Sequence, residues 1–505
     1  MEFLNTLSDW LWTYVVITML VGCALYFTWN LRGVQFTMLP TMLRSLLKDG
    51  VKNSSEELRV KSEESKLLSA PDSNSDSSLF TLHSSLSSQD SSLFTLHSSL
   101  EPARRISSFQ AFAISLSSRV GTGNLAGVAS AIFVGGPGAV FWMWVMALLG
   151  AATAFMEATL AQLFKRRGKD SFYGGPAYYM KYGLHRPWMG ILFALLIIYG
   201  FGLANQIVQS NALCDAIGEA FRLPTEHVAA GLTALTLLII FGGIQRIARF
   251  CAMVVPFMAV GYILLVLYIL VVNITEIPAM LSLIVHSAFG WDQAAGGAVG
   301  IAIMQGVKRG LFSNEAGEGS APNAAATATI PHPVQQGLLQ SLGVFTDTLL
   351  ICTCTAFIIL LSGLYTDGSD GIILTRHAMN HHLGSFGAWF LTAAIFLFAY
   401  STIIANYFYG ETNVRFICEK PWAITLFRCL SGVVVLMGGF MTLQQAWSIV
   451  DLAMALMTIL NLTAVCLLGR YAFRLLKDFK EQRSQGKEPE FNPDLFPEAD
   501  LEGWR

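Results

Sequence analysis

Long apolar stretches recur along this chain, and they constrain its fold more than any other feature. Of its 505 residues 53% are hydrophobic and only 13% are charged, a composition typical of proteins that cross a membrane several times. A membrane-spanning helix needs roughly 20 apolar residues. Eleven stretches come close to that length: 10–30, 107–134, 139–164, 188–214, 227–243, 250–273, 296–328, 337–362, 387–409, 421–440 and 446–469. The sequence therefore predicts an all-α polytopic membrane protein.

The distribution of Lys and Arg predicts how these spans are oriented. Cytoplasmic loops of membrane proteins carry the excess of these residues. In this chain the basic segments are 32–105, 165–181, 246–249, 415–420 and 470–487. We therefore expect an external N-terminus, a cytoplasmic C-terminus and a location in the plasma membrane, the inner membrane of a bacterium. The segment 277–288 is too short to span and is expected to lie at the interface.

Two segments fall outside the predicted membrane core. Residues 51–103 are rich in serine and contain a tandem repeat, in which 76–86 recurs as 90–100. Apolar residues are too sparse there to form a core, so we expect a disordered cytoplasmic insert. Residues 476–505 are polar and are expected to form a disordered cytoplasmic tail. The rest divides into 1–50, with the first helix and a cytoplasmic linker, and a transport core at 104–475.

The span 107–134 contains glycines that favour a break in its helix. Each glycine costs up to about 1 kcal/mol relative to alanine in a helix interior, and Gly121 and Gly123 lie close together. A second half-helix would begin near Asn124, with free N–H groups that attract an anion. We expect Gly121, Thr122, Gly123 and Asn124 to bind a substrate carboxylate, while carbonyls before the break suit a sodium ion.

The stretch 305–320 places two cations, two carboxylates and four glycines inside an apolar chain. Ionisable groups at membrane depth mark ion or substrate pathways. We expect the helix to unwind between Gly306 and Gly317, so that Gly306, Ser313 and Asn314 contribute to a site for a substrate ammonium group. Glu315 is a candidate gate residue at the cytoplasmic boundary.

Polar side chains on other spans are further candidates. Gln209 lies on an apolar helix, where substrate contact and a structural hydrogen bond between helices are equally open readings. Ser401 and Thr402 offer adjacent hydroxyl oxygens, a donor type that alkali cations accept. Arg119, always charged, is expected to form a structural or gating ion pair with Asp347.

Several motifs together resemble one known family. The segment 135–150 is similar to the signature of the sodium:alanine (alanine or glycine:cation) symporter family, in the amino acid-polyamine-organocation superfamily. Residues 121–124, 310–317 and 332–337 also look like that family's pattern, as does Asp451 with Asn461. The resemblance implies a leucine-transporter (LeuT) type fold of two inverted five-helix repeats, preceded here by one extra span, or about eleven helices in all.

The same resemblance implies a sodium site. The carbonyls of Ser117 and Val120 and the hydroxyls of Ser401 and Thr402 match the sodium ligands of that fold, and Asn124 matches a ligand found in relatives with two sites. The position of Arg119 carries a small residue in the wider superfamily, and a cation there disfavours a second sodium site.

These observations predict a sodium-coupled symporter that imports alanine or glycine by alternating access. The expected partners are a small neutral amino acid, Na⁺ and the lipid bilayer, for a monomer without a cofactor or a metal other than sodium. Proton coupling, a preference for glutamine or serine, and a channel or sensor are the alternatives. An enzyme is not expected, because Ser117 and Ser118 have no nearby His and no H-E-x-x-H motif occurs. The net charge of −2 argues against a nucleic-acid partner.

Overall fold

The structure is a computed structural model that describes residues 2–47, 106–168, 171–290, 296–441 and 443–505. Eight helices in these ranges are long and apolar enough to cross a membrane, which confirms the prediction of an all-α, multi-pass membrane protein. The insert at 51–103 lies outside the described residues, so its disorder stays a prediction. The number of crossings and the inverted repeat also stay predictions, because helix length and composition do not establish them.

Most described residues belong to helices, which we number in chain order. They are α1 (Thr6–Asn30), α2 (Ser108–Arg119), α3 (Val128–Gly135), α4 (Gly138–Leu163), α5 (Pro187–Phe221), α6 (Thr225–Ile240), α7 (Gly243–Val272), α8 (Ile277–Phe289), α9 (Gly296–Asn314), α10 (Val334–Ser362), α11 (Gly371–Leu383), α12 (Ser385–Ile417), α13 (Pro421–Gly438) and α14 (Leu443–Ser484). Four stretches have the wider turns of a π-helix: Leu11–Val16, Gly123–Gly127, Gly200–Asn205 and Phe345–Cys352.

Short elements connect these helices. Two strands, β1 (Arg166–Arg167) and β2 (Phe172–Tyr173), pair antiparallel just after α4. The short helices and helical turns are Val34–Thr37, 39–47, Pro176–Tyr182, Pro322–Ala325, Leu364–Thr366, Pro493–Leu495 and Glu502–Trp504.

Three of the expected spans are not single long helices. The 107–134 span consists of α2, a break and α3, and the 296–328 span consists of α9 followed by irregular chain. The 227–243 span corresponds to α6, which has 16 residues. The segment expected at the interface forms the 13-residue helix α8, so a short helix is found there and its depth stays a prediction.

The first break lies where glycines follow α2. Ser107 begins this helix with a capping box, in which Ser107 Oγ accepts from Gln110 N and Gln110 Oε1 accepts from Ser107 N, both at 3.1 Å. The helix ends at Arg119, and Val120 has a non-helical ψ of 84°. Helical turns resume at Thr122. The break therefore falls at 120–121 and includes Gly121, one of the glycines that predicted it.

The second break falls within the range 306–317 that the sequence indicated, near its C-terminal end. α9 runs without interruption through Gly306 and ends at Asn314. The chain then turns at Glu315, whose φ is 57°. A Cβ at Gly306 would lie 2.5 Å from the Ala139 carbonyl oxygen, so this glycine allows α9 to pack closely on α4 rather than to unwind. The helix thus ends at Asn314, inside the expected range, and Gly306 itself does not unwind.

Helix packing brings the two breaks together. α4 lies against both α9 and α10, while α2 lies against α7 and α12. The π-helical turn Gly123–Gly127 contacts both α9 and the π-helical part of α10. Polar groups at the end of α2, at the end of α9 and in α10 and α12 therefore share one buried region.

The tail expected to be disordered, 476–505, is ordered: 476–484 belong to α14, and 485–505 pack against the rest of the protein. Phe496 and Leu501 are almost completely buried, and Phe491 N donates to Pro331 O at 2.9 Å. These apolar side chains are too widely spaced to form a core of their own, but the body of the protein supplies a surface for them. The polar composition of the segment therefore did not reveal its order.

Arg166 also holds this segment through its charge. Its guanidinium binds the Asp500 carboxylate at 2.7 and 2.9 Å and contacts Glu502 at 3.1 Å. We expect Arg166→Ala to raise the rate of tryptic cleavage after Lys487 about fivefold, because a partly exposed bidentate pair contributes on the order of 1 kcal/mol. Lys477→Ala, at a side chain that is 78% exposed, is the control. Equal cleavage of all three proteins would contradict this role of Arg166.

The same contact makes the docking pH-dependent. Hydrogen bonds from Arg166 hold the pKa of Asp500 below its ordinary value. A group with a lowered pKa stabilises the docked state above its ordinary pKa, and this contribution is lost as the pH falls through the lowered value. Amide hydrogen exchange in residues 491–504, corrected for its intrinsic pH dependence, should therefore become faster as the pH falls below about 4 in the wild type, and this acceleration should be smaller in Arg166→Ala.

Candidate functional site

The hydroxyl of Thr402 in α12 faces the end of α2. Its Oγ1 lies 2.8 Å from the Ser117 carbonyl oxygen, 3.3 Å from that of Val120 and 3.0 Å from that of Phe398 in its own helix. A hydroxyl has one proton and can donate to only one of these oxygens. Two carbonyl oxygens therefore face the hydroxyl oxygen without a proton between them, an arrangement that a small cation would stabilise.

The donor set at this point fits a hard cation such as sodium, which prefers oxygen ligands. Thr402, Ser117 and Val120 contribute three oxygens. Ser401, the other expected hydroxyl, instead lies 3.0 Å from the Phe398 carbonyl and 3.8 Å from Met258 Sδ. The structure thus brings together three of the expected ligands and directs Ser401 elsewhere.

Asn124 connects the broken helix to α10. Its Oδ1 accepts a hydrogen bond from Gly121 N at 2.9 Å, so it caps the break itself. Its Nδ2 donates to Asp347 Oδ1 at 2.6 Å and lies 3.3 Å from Cys352 Sγ. Asn124 and Asp347 are both fully buried, so this contact is shielded from solvent.

Asp347 also binds the end of α9. Ser313 Oγ donates to Asp347 Oδ2 at 2.7 Å, and Thr348 Oγ1 approaches the same oxygen at 2.9 Å. Asn314 Nδ2 donates to Thr348 Oγ1 at 3.2 Å. One buried carboxyl group thus bridges both breaks, because its two oxygens contact residues from each of them. Ser313 and Asn314 lie at the site, whereas Gly306 does not.

Arg119 does not form the expected ion pair with Asp347 in the described structure. The Asp347 oxygens are taken by neutral donors, and Arg119 Nη1 donates to the Gln340 carbonyl at 3.3 Å. The guanidinium is nevertheless almost fully buried, and it attracts the carboxyl groups of Glu157, Glu315 and Asp347 through space. Arg119 therefore lies near several buried carboxyl groups and is not paired with a single one of them.

Gln209 reaches the first break from α5. Its Oε1 accepts from Thr122 N at 3.0 Å, and its Nε2 donates to Asn205 Oδ1 at 2.9 Å. A narrow gap, with no room for a water molecule, adjoins Thr122. The other residues that line it are apolar: Leu125, Ala126, Ala212, Ile372, Ile395, Phe398 and Ala399. The backbone N–H group of Thr122 thus lies beside a cluster of apolar side chains.

Glu315 lies in a buried hydrogen-bond network that sequence reasoning did not identify. Ser118 and Ser320 donate to its two carboxyl oxygens, the latter at 2.5 Å. Ser118 Oγ also lies 2.7 Å from Asn406 Oδ1. Asn406 follows Thr402 by four residues, so both lie on one face of α12. This spacing of four residues between two polar side chains in an apolar helix was the signal in the sequence that could have identified Asn406 as part of the network.

Glu157 and Asn461 form a second buried polar contact. Asn461 Nδ2 donates to Glu157 Oε1 at 2.5 Å and to the Gly317 carbonyl at 2.9 Å. The Tyr179 hydroxyl donates to Asn461 Oδ1. The irregular chain after α9 is thus held between α4 and α14. The signal in the sequence was a carboxyl group in the middle of the apolar span 139–164.

Charged groups also fix α1 to the rest of the structure. Lys308 Nζ lies 2.7 Å from Asp451 Oδ2 and 3.6 Å from Asp9 Oδ1. Trp12 Nε1 donates to the Asp451 carbonyl at 3.0 Å. α1 is therefore tied to α9 and α14 by these contacts.

Two interrupted helices with ends that meet at buried polar groups define a class of protein. Free helix ends at membrane depth bind ions and charged substrate groups, and this arrangement is typical of secondary transporters. The multi-pass helical architecture and the site together place the chain in that class.

Comparison with known proteins gives the family. The sequence model of the Sodium:alanine symporter family matches residues 1–69 and 86–493. The chain is 43% identical over 492 residues to the probable sodium/glutamine symporter GlnT of Bacillus subtilis (strain 168), covering 97% of this chain and 92% of that protein. It is 48% identical over 398 residues to the amino-acid carrier protein AlsT of the same organism, covering 79% and 85%.

A third relative is the sodium/proton-dependent alanine carrier protein of Bacillus sp. (strain PS3), 37% identical over 417 residues, which covers 79% of this chain and 94% of that protein. The chain belongs to the sodium:alanine symporter family. Its relatives are amino-acid symporters and carriers, which confirms the expectation that the protein is a transporter and not an enzyme.

Proposed function

We propose that this protein imports a small neutral amino acid, alanine or glycine, together with sodium by alternating access. The observation that carries the proposal is the position of Thr402 Oγ1, which lies 2.8 and 3.3 Å from the carbonyl oxygens of Ser117 and Val120. Sodium entry would supply the driving force, and no other cofactor takes part.

The substrate carboxylate would bind at the first break. The N–H groups of Gly121 and Thr122 donate to the amide oxygens of Asn124 and Gln209. These two oxygens occupy the positions that carboxylate oxygens need, so a bound amino acid would displace them and gain charge-assisted hydrogen bonds. The positive end of the following half-helix would favour the same charge.

The substrate ammonium group would lie toward the end of α9, where Ser313 donates to Asp347 and Asn314 donates to Thr348. Carbonyl oxygens at the end of a helix attract cations. The apolar gap beside Thr122 has no room for a water molecule in this conformation, so it would have to widen to take the substrate side chain and favours a small one. Glutamine or serine is the alternative substrate, since one relative is named a probable sodium/glutamine symporter.

The remaining parts of the proposal concern the whole chain. Residues 104–475 would form the transport core as a monomer in the bacterial inner membrane, preceded by the helix and linker at 1–50. The N-terminus would face outward, and residues 476–505 would lie on the cytoplasmic side. A LeuT-type repeat agrees with two broken helices. Proton coupling is the variant for the driving ion, and a channel or sensor is a more distant alternative.

Uptake into liposomes tests this proposal. Purified protein is reconstituted, and uptake of radiolabelled L-alanine is measured with an inward sodium gradient and with choline in place of sodium. We expect accumulation only with sodium, and competition by unlabelled glycine stronger than by serine or glutamine. Equal uptake in choline would contradict sodium coupling. Accumulation of glutamine but not of alanine would contradict the small-substrate assignment.

A further inference from the structure

Glu315 has an unusual backbone for a buried residue. Its φ is 57°, and the other non-glycine residues with a positive φ in the described part of the chain are all exposed: Arg32, His185 and Arg222. A Cβ makes this conformation unfavourable, and such strain persists where surrounding contacts hold the residue. Glycine would avoid the strain, as it does at two positive-φ positions in the same segment. We therefore looked for the role of this carboxyl group in its contacts.

The carboxyl group of Glu315 connects three elements of the structure. Ser118 of α2 donates to its Oε1, and Ser320 of the irregular chain after α9 donates to its Oε2 at 2.5 Å. Ser118 Oγ also lies 2.7 Å from Asn406 Oδ1 of α12. These four side chains are at most 6% exposed, so water competes little for their hydrogen bonds.

The supply of protons indicates how Ser118 is shared. A hydroxyl carries one proton, and Asn406 Nδ2 has no partner among the described residues. The oxygen and nitrogen of an amide have nearly the same shape. With its amide turned over, Asn406 donates to Ser118 Oγ, and the Ser118 proton remains for Glu315. A hydrogen-bond chain then runs from α12 through the last turn of α2 to the end of α9.

The carbonyl oxygens of the proposed sodium site are not fixed by the helix that carries them. In a continuous α-helix the Ser117 carbonyl would accept from Gly121 N, four residues later. At the break Gly121 N donates to Asn124 Oδ1 at 2.9 Å. The Val120 carbonyl also loses its usual donor, because Asn124 N donates to the Gly121 carbonyl at 3.2 Å. The direction of both carbonyls therefore depends on the contacts that hold the end of α2.

The Ser118 contact lies one helical turn from the proposed sodium site. Thr402 and Asn406 are four residues apart on one face of α12. Thr402 Oγ1 lies 2.8 Å from the Ser117 carbonyl, and Asn406 Oδ1 lies 2.7 Å from Ser118 Oγ. Two contacts between the same helices fix the rotation of α2 as well as its distance from α12. Glu315 secures the second contact from the end of α9.

We propose that Glu315 is a positioning residue for the sodium site. In this role it supplies no oxygen to the ion. It holds Ser118, and with it the end of α2, so that the carbonyl oxygens of Ser117 and Val120 face Thr402. This inference rests on the proposed symport function and adds to it a residue that sets the affinity for sodium from outside the ligand set.

Binding of radioactive sodium to the purified full-length protein, without any amino acid, tests the assignment. The proteins compared are the wild type, Ser118→Ala, Glu315→Gly, the double variant and the control Ser115→Ala. Glycine removes the carboxyl group and tolerates the positive φ. Ser115 is a fully buried serine of the same helix, and its hydroxyl donates to the Phe112 carbonyl of that helix at 2.8 Å.

We expect the dissociation constant for sodium to rise about tenfold in Ser118→Ala and in Glu315→Gly, because each loses a buried hydrogen bond. Since Glu315 acts through Ser118, the double variant should resemble the single variants and not reach the product of their effects, about a hundredfold. Ser115→Ala should bind sodium like the wild type. Alanine uptake into liposomes at saturating sodium should stay within about threefold of the wild type in every variant.

Several results would overturn the inference and leave the proposed function intact. They are unchanged sodium affinity in Ser118→Ala, an equal loss of affinity in the Ser115→Ala control, effects that multiply in the double variant, and uptake that is lost at saturating sodium with the sodium affinity unchanged. The comparison of the two serine variants decides the matter even if Glu315→Gly does not fold.

Failure of the proposed function gives a different pattern. A wild type that binds no sodium would overturn both proposals. A wild type that binds sodium but takes up no alanine would overturn the proposed substrate, and the sodium affinities of the variants would still decide the role of Glu315.

Discussion

Gly121→Ala is expected to abolish alanine uptake. A Cβ at this position would lie 2.5 Å from Thr402 Oγ1 and 3.0 Å from Gln209 Oε1. The first atom belongs to the proposed sodium site and the second to a group that binds Thr122 N at 3.0 Å. Overpacking of a tight site costs about 1–3 kcal/mol and shifts its atoms, and here both coupled ligands would lose their geometry. We expect initial uptake to fall at least about a hundredfold.

Gly127→Ala is the matched control for this substitution. Gly127 lies in the turn that follows the same break, and a Cβ there would meet nothing within 4 Å. Alanine also favours a helix over glycine by about 1 kcal/mol, so the control should fold as well as the wild type. Uptake is measured at equal amounts of reconstituted protein. Similar activity of Gly121→Ala and Gly127→Ala would contradict the location of the site.

Thr402→Val is expected to raise the sodium concentration for half-maximal uptake between about tenfold and a hundredfold, since loss of a buried oxygen contact costs about 1–3 kcal/mol. Valine keeps the shape of threonine but removes the oxygen that faces Ser117 and Val120. The carbonyl oxygens of Ser117 and Val120 would then have to bind the cation without the third oxygen ligand. Sodium dependence is measured by alanine uptake at a series of sodium concentrations.

Two further variants separate the chemistry of Thr402 from its packing. Thr402→Ser restores the hydroxyl and should return the sodium response to within about threefold of the wild type. Ser401→Ala removes the hydroxyl that lies 3.8 Å from Met258 Sδ, and it should change sodium activation little. A larger effect of Ser401→Ala than of Thr402→Val would assign the sodium-binding hydroxyl to Ser401 and contradict its assignment to Thr402.

Glycines were the most useful and the most misleading residues in the sequence. Gly121 and Gly123 predicted the first break, and the helix does end at Arg119. Gly306 suggested the same behaviour in α9, but it packs against Ala139 inside a continuous helix. Low helix propensity and close packing both select glycine. Only the position of the neighbouring helix distinguishes these two causes.

The charged residues of the sequence predicted the contacts of the site less well than hydropathy predicted the helices. The sequence shows that Arg119 and Asp347 lie in apolar spans, but it does not give the distance between them. In the structure Asp347 binds Asn124 and Ser313 and not Arg119. A buried carboxyl group can be stabilised by neutral donors as well as by a cation. Ser401 and Thr402 were adjacent candidates, yet neighbouring residues on a helix point about 100° apart, so only one of them reaches Val120.

The contact between Arg166 and Asp500 joins residues 334 positions apart. During synthesis Arg166 leaves the ribosome long before its partner is made, because the chain grows at about 5–20 residues per second. The turn after α4 therefore spends tens of seconds without the acidic groups that later neutralise it. The long apolar helices α5, α7, α10, α12 and α13 are all synthesised in that interval, so this corner of the protein is among the last parts to be completed.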